Sequence, residues 1–215
     1  DHFHLRGWAY WLPAHAGLNP RKGYSMSPGI LGISATPRSH GNSDILLDHI
    51  LTGAQRSGAT IEKVRLSELT ISPCKACNSC KKGRKAVCRI DDGMQSLTAS
   101  MRQADFYVFA TPVYFFSVSA QMKIFLDRLY VLINKKDMNL MENRKAVVAL
   151  TYGDPDVLQS GAMNAVHTFQ DICNFFNLEF LDCIHASCML AGDINCDEKI
   201  LEKALLLGER LGSHV

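Results

Sequence analysis

From Gly29 onward, short apolar runs alternate with stretches in which apolar residues recur every three or four positions, a pattern that predicts βαβ units around a parallel sheet. Ile30 to Ser34 reads as the first strand. A helix follows from about Ser43 to Ser57, with Leu46, Leu47, Ile50, Leu51 and Ala54 on one face and Gly58 placed to end it. Thr60 to Leu66 alternates weakly and reads as an edge strand, and Met94, Leu97 and Met101 mark a second helix. Phe106 to Ala110 is continuously apolar, as a parallel strand covered on both faces should be. A helix from about Ser119 to Ile133, a strand from Lys145 to Thr151 and a long helix carrying Ala162, Met163, Val166, Phe169, Cys173 and Phe176 come next. A strand near Glu179 to His185 and a helix from about Asp197 to Leu211 close the count. Right-handed crossovers then favour one doubly wound, five-stranded parallel sheet with helices on both faces.

The 215 residues suit one domain, expected over residues 26–215. Residues 1–25 read as a leader of vector or read-through origin: Met26 stands directly before the first strand, and Pro13 interrupts the apolar part of the leader. A formal net charge of +2 builds no field for nucleic acid or an anionic membrane, and no apolar run is long enough to span a bilayer. The expected partners are small molecules or proteins, and the expected location is cytoplasmic.

In an open parallel sheet the loops that leave the carboxyl ends of the strands share one rim, where ligands bind. The unusual loops of this chain fall there. Ser34 to Ser43 is a run of hydroxyls and flexible backbone leading into a helix N-terminus, a place for a mononucleotide phosphate or a plain capped turn. Thr111 to Ser119 carries three aromatics where a polar loop belongs, which calls for a planar ligand or a neighbouring subunit. Thr151 to Pro155 contains Gly153, where backbone could approach a ring closely. A phosphate end and a flat apolar end describe FMN.

These segments resemble the NADPH-dependent FMN reductase family, and within it the iron–sulfur flavoproteins. Ser34-Ala-Thr-Pro-Arg-Ser-His-Gly-Asn-Ser43 is similar to the family's phosphate loop, departing at Ala35 and Thr36; Thr111-Pro-Val-Tyr114 with Lys123, Asp127 and Arg128 is similar to its flavin-ring loop and following helix. The resemblance implies a flavodoxin-like α/β fold. It further implies that Ser34, Arg38, Ser39, Asn42 and Ser43 hold the phosphate, that Pro112, Val113, Tyr114 and Phe115 border the ring, and that Thr151, Tyr152 and Gly153 complete its rim. A homodimer or homotetramer with flavins near the interfaces is implied as well. Asp127 and Arg128 read as a structural pair.

Cys74-x2-Cys77-x2-Cys80-x7-Cys88 places four thiols on one loop. A 4Fe-4S cubane takes one cysteine per iron, which short spacings allow, and the run resembles the compact motif of the iron–sulfur flavoproteins. Zinc and free thiols are the competing readings. Cys173 and Cys183 read as small hydrophobes, Cys188 and Cys196 flank a loop without the tight pairing of a second site, His40 reads as a phosphate donor or a solvent-facing loop residue, and His167 and His185 are assigned no role. The implied activity is electron transfer between NAD(P)H or a protein donor, FMN and the cluster, with no catalytic acid or base required. The alternatives are a cluster-free FMN, quinone or azo reductase and, from another class, a zinc-bearing interaction module without flavin.

Overall fold

The computed structural model describes residues 27–82, 87–133, 139 and 141–213, so the expected leader lies outside the described residues. Strand β1 (Gly29–Ser34) leads through helix α1 (Asn42–Arg56) to β2 (Thr60–Arg65), and α2 (Met94–Gln103) precedes β3 (Phe106–Tyr114). A two-residue β4 (Ser117–Val118), α3 (Ala120–Arg128), β5 (Lys145–Tyr152), α4 (Ala162–Phe176), β6 (Glu179–Ser187) and α5 (Glu198–Ser213) follow. The parallel strands lie in the order β2-β1-β3-β5-β6, with β4 pairing only the end of β3. This is the doubly wound sheet that the apolar pattern predicts. Its order reverses between β1 and β3, so their outgoing loops part to opposite faces and leave a crevice between them.

Alternation along β3 explains its unbroken apolar run. Tyr107 and Phe109 enter the core under α2, α3 and α4, whereas Phe106, Val108 and Ala110 enter the core under α1 and α5. Phe109 stacks on Phe169 of α4 at 5.4 Å and lies 6.2 Å from Phe125 of α3. Burying such a ring stabilises the fold by about 1.5–3 kcal/mol. On the other face α1 and α5 pack backbone to backbone, because a Cβ at Gly53 or Gly208 would run into the facing helix.

Two boundaries differ from expectation. β3 continues past Ala110 to Tyr114 because β5 runs beside it as far as the Pro112–Thr151 pair, so half of the expected aromatic loop is strand. Pro112 is tolerated there because the pairing with β1 ends at Ala110, and no ladder bond is asked of the proline on that side. The helix expected to reach Ile133 ends at Arg128, and a 3-10 turn, Leu129–Leu132, buries Leu129, Val131 and Leu132 instead. Among the described residues no helix is long and apolar enough to cross a membrane.

Candidate functional site

The loop from Ser34 to Ser43 connects the buried end of β1 to the first turn of α1. Ser34 and Ser43 are 0% and 1% exposed, and neither side-chain hydroxyl has a hydrogen-bond partner among the described residues. A buried hydroxyl left unpaired costs about 1–3 kcal/mol. No side chain caps α1, and Gly41, the residue just before its first turn, lies so close to Thr36 that a Cβ would collide with it. Two orphaned hydroxyls at an uncapped helix N-terminus are what a phosphate would satisfy, so the residues present fit FMN at this end. Arg38 and Ser39 stand exposed on the outer side of the loop, where the Arg38 carbonyl accepts from Arg65 Nη2 at 3.1 Å. Asn42 is engaged elsewhere. Its amide donates to Leu190 O at 2.7 Å and accepts from Gly192 N at 2.9 Å, which ties down the loop after β6.

Beside this loop, Tyr114 pairs with Ser117 across a two-residue turn in which Phe115 and Phe116 both have positive φ, 46° and 65°. Such turns ordinarily take Asn-Gly, and a bulky side chain in that region is strained by about 1–3 kcal/mol. The surroundings hold the hairpin in place. Gly161 (φ 77°) leaves no room for a Cβ against the Phe116 backbone, and Asn164 Nδ2 donates to Phe116 O at 3.0 Å. Ser119 caps α3 and donates to Ala35 O at 2.8 Å, which joins the hairpin to the loop after β1. Pro112 is buried and Val113 half-buried, while Phe115 is 98% exposed.

At the third loop Thr151 and Tyr152 are buried and Gly153 faces Met189. Tyr152 Oη lies 2.8 Å from His185 Nδ1, a contact that gives His185 a partner the sequence did not suggest. Burial, with the thiols of Cys183 and Cys188 and the carboxylate of Asp156 nearby, pushes the Tyr152 phenol up, so it stays protonated at neutral pH. The structure thus brings Ser34, Ser43, Pro112, Val113, Thr151, Tyr152 and Gly153 to one rim around the β1–β3 crevice.

The cysteine loop follows β2. All eight cysteines are free; Cys74 and Cys77 are exposed, and Cys80 and Cys88 are half-buried against the core. Left-handed residues Ala76 and Asn78 turn the chain between successive cysteines. Cys77 Sγ lies 3.2 Å from Ser79 Oγ, and that hydrogen bond lowers its pKa. Burial raises Cys80, with Cys88 and Cys74 close enough to add to the effect. Among the described residues no three His, Cys, Asp or Glu side chains are gathered tightly enough for a metal ion. A cubane takes one thiolate at each of four corners, and this loop carries that number of free thiols without gathering three of them around one point among the described residues. Asp127 and Arg128 do not pair with each other as expected: Asp127 takes Lys123 at 2.6 Å, and Arg128 forms a buried ion pair with Asp92 at 2.8 Å. Neighbouring side chains on a helix point apart, so each finds a partner elsewhere.

A doubly wound sheet with a hydroxyl-lined helix N-terminus at its switch point defines a flavodoxin-like protein. Solved structures share the fold: an NAD(P)H:quinone oxidoreductase from Methanothermobacter marburgensis superposes with a TM-score of 0.70 at 18% identity, covering 88% of this chain and 99% of that one. A Trp repressor binding protein from Bacillus subtilis gives 0.61 at 24%, covering 83% and 99%. The chain belongs to the NADPH-dependent FMN reductase family, whose sequence profile matches residues 28–182, and it is an oxidoreductase of that family. Among relatives, an iron-sulfur flavoprotein of Methanocaldococcus jannaschii is 30% identical over 86% of this chain and 96% of its own length. Another, of Archaeoglobus fulgidus, is 33% identical over 63% of this chain, and the match spans 60% of that protein's length.

Proposed function

We propose that the chain is an electron-transfer flavoprotein that holds FMN on the strand-end rim and a 4Fe-4S cluster on the cysteine loop, and that it passes electrons between NAD(P)H or a protein donor and an acceptor. The observation that carries the FMN reading is the pair of buried, unpartnered hydroxyls of Ser34 and Ser43 at the start of α1. Ser34 and Ser43 would hold the phosphate, with Arg38 and Ser39 closing over it from the exposed side of the loop. Pro112, Val113, Tyr114 and Phe115 would border the ring, and Thr151, Tyr152 and Gly153 its far edge. When bound, FMN accepts electrons in pairs and releases them singly. The protein's own work is to orient the ring and shield it from water, and Tyr152, kept protonated and joined to His185, holds a proton at the rim.

Cys74, Cys77, Cys80 and Cys88 would each take one iron. Their free thiols fit a reducing, cytoplasmic compartment. Phe115, Phe116 and Leu158, exposed on neighbouring rim loops, favour a homodimer or homotetramer that covers them. A second reading, a cluster-free NAD(P)H-dependent FMN, quinone or azo reductase, draws on the Cys77 thiol being turned toward Ser79.

Anaerobic purification followed by absorption spectroscopy and assay of flavin, iron and sulfide tests the proposal. Flavin with iron and sulfide is expected. Flavin alone selects the cluster-free reading, and folded protein that neither contains nor takes up FMN overturns both.

A further inference from the structure

Besides the hydroxyls of Ser34 and Ser43, two more buried atoms near the start of α1 lack a hydrogen-bond partner among the described residues: Asp44 Oδ1 and Arg65 Nε. Asp44 is 5% exposed and stands in the first turn of α1, three residues after Gly41. A carboxylate at that position ordinarily turns back on the helix N-terminus, where free N–H groups and the helix dipole attract it, and takes the place an anion would fill. Here it does not. Among the described residues Asp44 Oδ1 accepts no hydrogen bond, from the helix or from elsewhere.

Strand β2 supplies the reason. Side chains alternate along a strand, so Ile61, Lys63 and Arg65 share one face, the face on which Ile61 packs against the core under α1 and α5. Lys63 Nζ lies 3.0 Å from Asp44 Oδ1, and Arg65 Nε lies 4.0 Å from Asp44 Oδ2. Each cation is also held by a second partner. Lys63 donates to Asp48 Oδ1 at 2.6 Å, Arg65 Nη1 lies 3.5 Å from Glu68 Oε1, and Arg65 Nη2 donates to Arg38 O at 3.1 Å. A carboxylate as buried as Asp44 needs a counter-charge. It receives one from the neighbouring strand, so the uncapped N-terminus of its own helix is not spent on it.

We infer that Lys63 and Arg65 are positioning residues for the anion site of α1: they hold the Asp44 carboxylate against β2 and so keep the helix N-terminus beside Ser43 open to a phosphate. The inference rests on the FMN reading above, since the phosphate concerned is the one that Ser34 and Ser43 would hold. Both cations act through Asp44. Released from them, the carboxylate becomes a competitor tethered to the site, and a tethered group competes at a concentration that dilution cannot lower.

The test uses the full-length protein freed of flavin and measures affinity for FMN and for riboflavin, which shares the ring and lacks the phosphate. Lys63→Met combined with Arg65→Met is expected to weaken FMN binding about tenfold, the scale of one helix-capping interaction, and to leave riboflavin binding unchanged. Asp44→Ala alone is expected to alter FMN affinity by no more than roughly twofold, yet to restore it when added to the double variant. A loss that persists in the Asp44→Ala background would show the cations acting on the phosphate directly and overturn the inference. No loss of FMN affinity, or an equal loss for riboflavin, overturns it as well. Circular dichroism and thermal unfolding check that each variant folds. Should the double variant not fold, Lys63→Met alone, made with and without Asp44→Ala, decides by the same comparison. Wild-type protein that takes up neither flavin removes the FMN reading and the inference with it.

Discussion

The hydroxyl-bearing loop from Ser34 to Ser43 and the cysteine loop leave adjacent parallel strands, β1 and β2, at the same rim, yet they are built from opposite materials. The first is ten residues of strand end, turn and helix start, with Ser34 and Ser43 sunk into the core and left short of hydrogen bonds. Among its described residues the second has only a 3-10 turn, Ser79–Lys81, for regular structure between its ends, and it keeps its place through side chains that reach α3 and the turn after it. A rigid organic ligand can be held by the fold itself, whose stability keeps the hydroxyls and helix N-terminus where they are. The cysteine loop is instead pinned at its stem, by Arg128, Asp92 and Ser72. The two sites should therefore fail independently.

The sharpest break of that comparison is Cys77→Ser. Iron and sulfide are expected to fall to a small fraction of wild type while the flavin stays bound, and metal analysis beside the flavin spectrum checks both at once. A variant that keeps its full iron content would remove Cys77 from the ligand set.

Replacing both Ser34 and Ser43 with Ala strikes the other loop. Two hydrogen bonds to a charged phosphate at about 1.5 kcal/mol each amount to roughly a hundredfold loss of FMN affinity. The flavin-free protein, relieved of two buried unpaired hydroxyls, should melt no lower than wild type. Flavin fluorescence titration and thermal unfolding together expose a failure of either half, and unchanged affinity would place the phosphate elsewhere.

Gly161→Ala tests the hairpin between the two. Its Cβ would press on the Phe116 backbone from a position with φ 77°, so a loss of about 1–3 kcal/mol is expected in urea unfolding. Iron content should not change, and if stability is also unaltered, the clamp on the aromatic turn is not as described.

Acid is the gentlest probe. Burial alone would raise the Asp92 carboxyl, but the hydrogen bonds from Arg128, Ser72 N and Met94 N outweigh it and hold the group below the usual carboxylate range. A carboxyl lowered on folding contributes stability that is complete above its unfolded value, about 3.9, and is lost as pH falls through the folded value. Wild type should thus exceed Asp92→Asn in stability at pH 6, and the gap should narrow below about pH 4. A gap that widens there would contradict the sign of the shift.

The local order of the chain was legible because its signals are local. Burial with a period of 3.6 marked α1 through Leu46, Leu47, Ile50 and Leu51, and an unbroken apolar run marked β3 as covered on both faces. Ser34 and Ser43 drew attention by their place between a strand and a helix, and the structure leaves both hydroxyls buried and unpartnered. Asn42 sits in the same run and was read the same way, yet its amide is spent on Leu190 and Gly192, about 150 residues away in the chain. His185 carried no local signal for its contact with Tyr152, and the aromatic turn carried none for its conformation, since Phe-Phe is a poor sequence for two left-handed residues.

By itself the sequence determined the alternation of strands and helices and the placing of four thiols on one loop, because each follows from the spacing of near neighbours. Only the tertiary structure decided which polar groups stay unsatisfied and which are consumed. Ser43 and Asn42 are adjacent and alike in the chain, but one hydroxyl is orphaned in the core and the other side chain is claimed by a distant loop. Arg128 was read with its neighbour Asp127 and folds instead against Asp92, since burial of a charge selects the partner that shares its depth rather than its position in sequence.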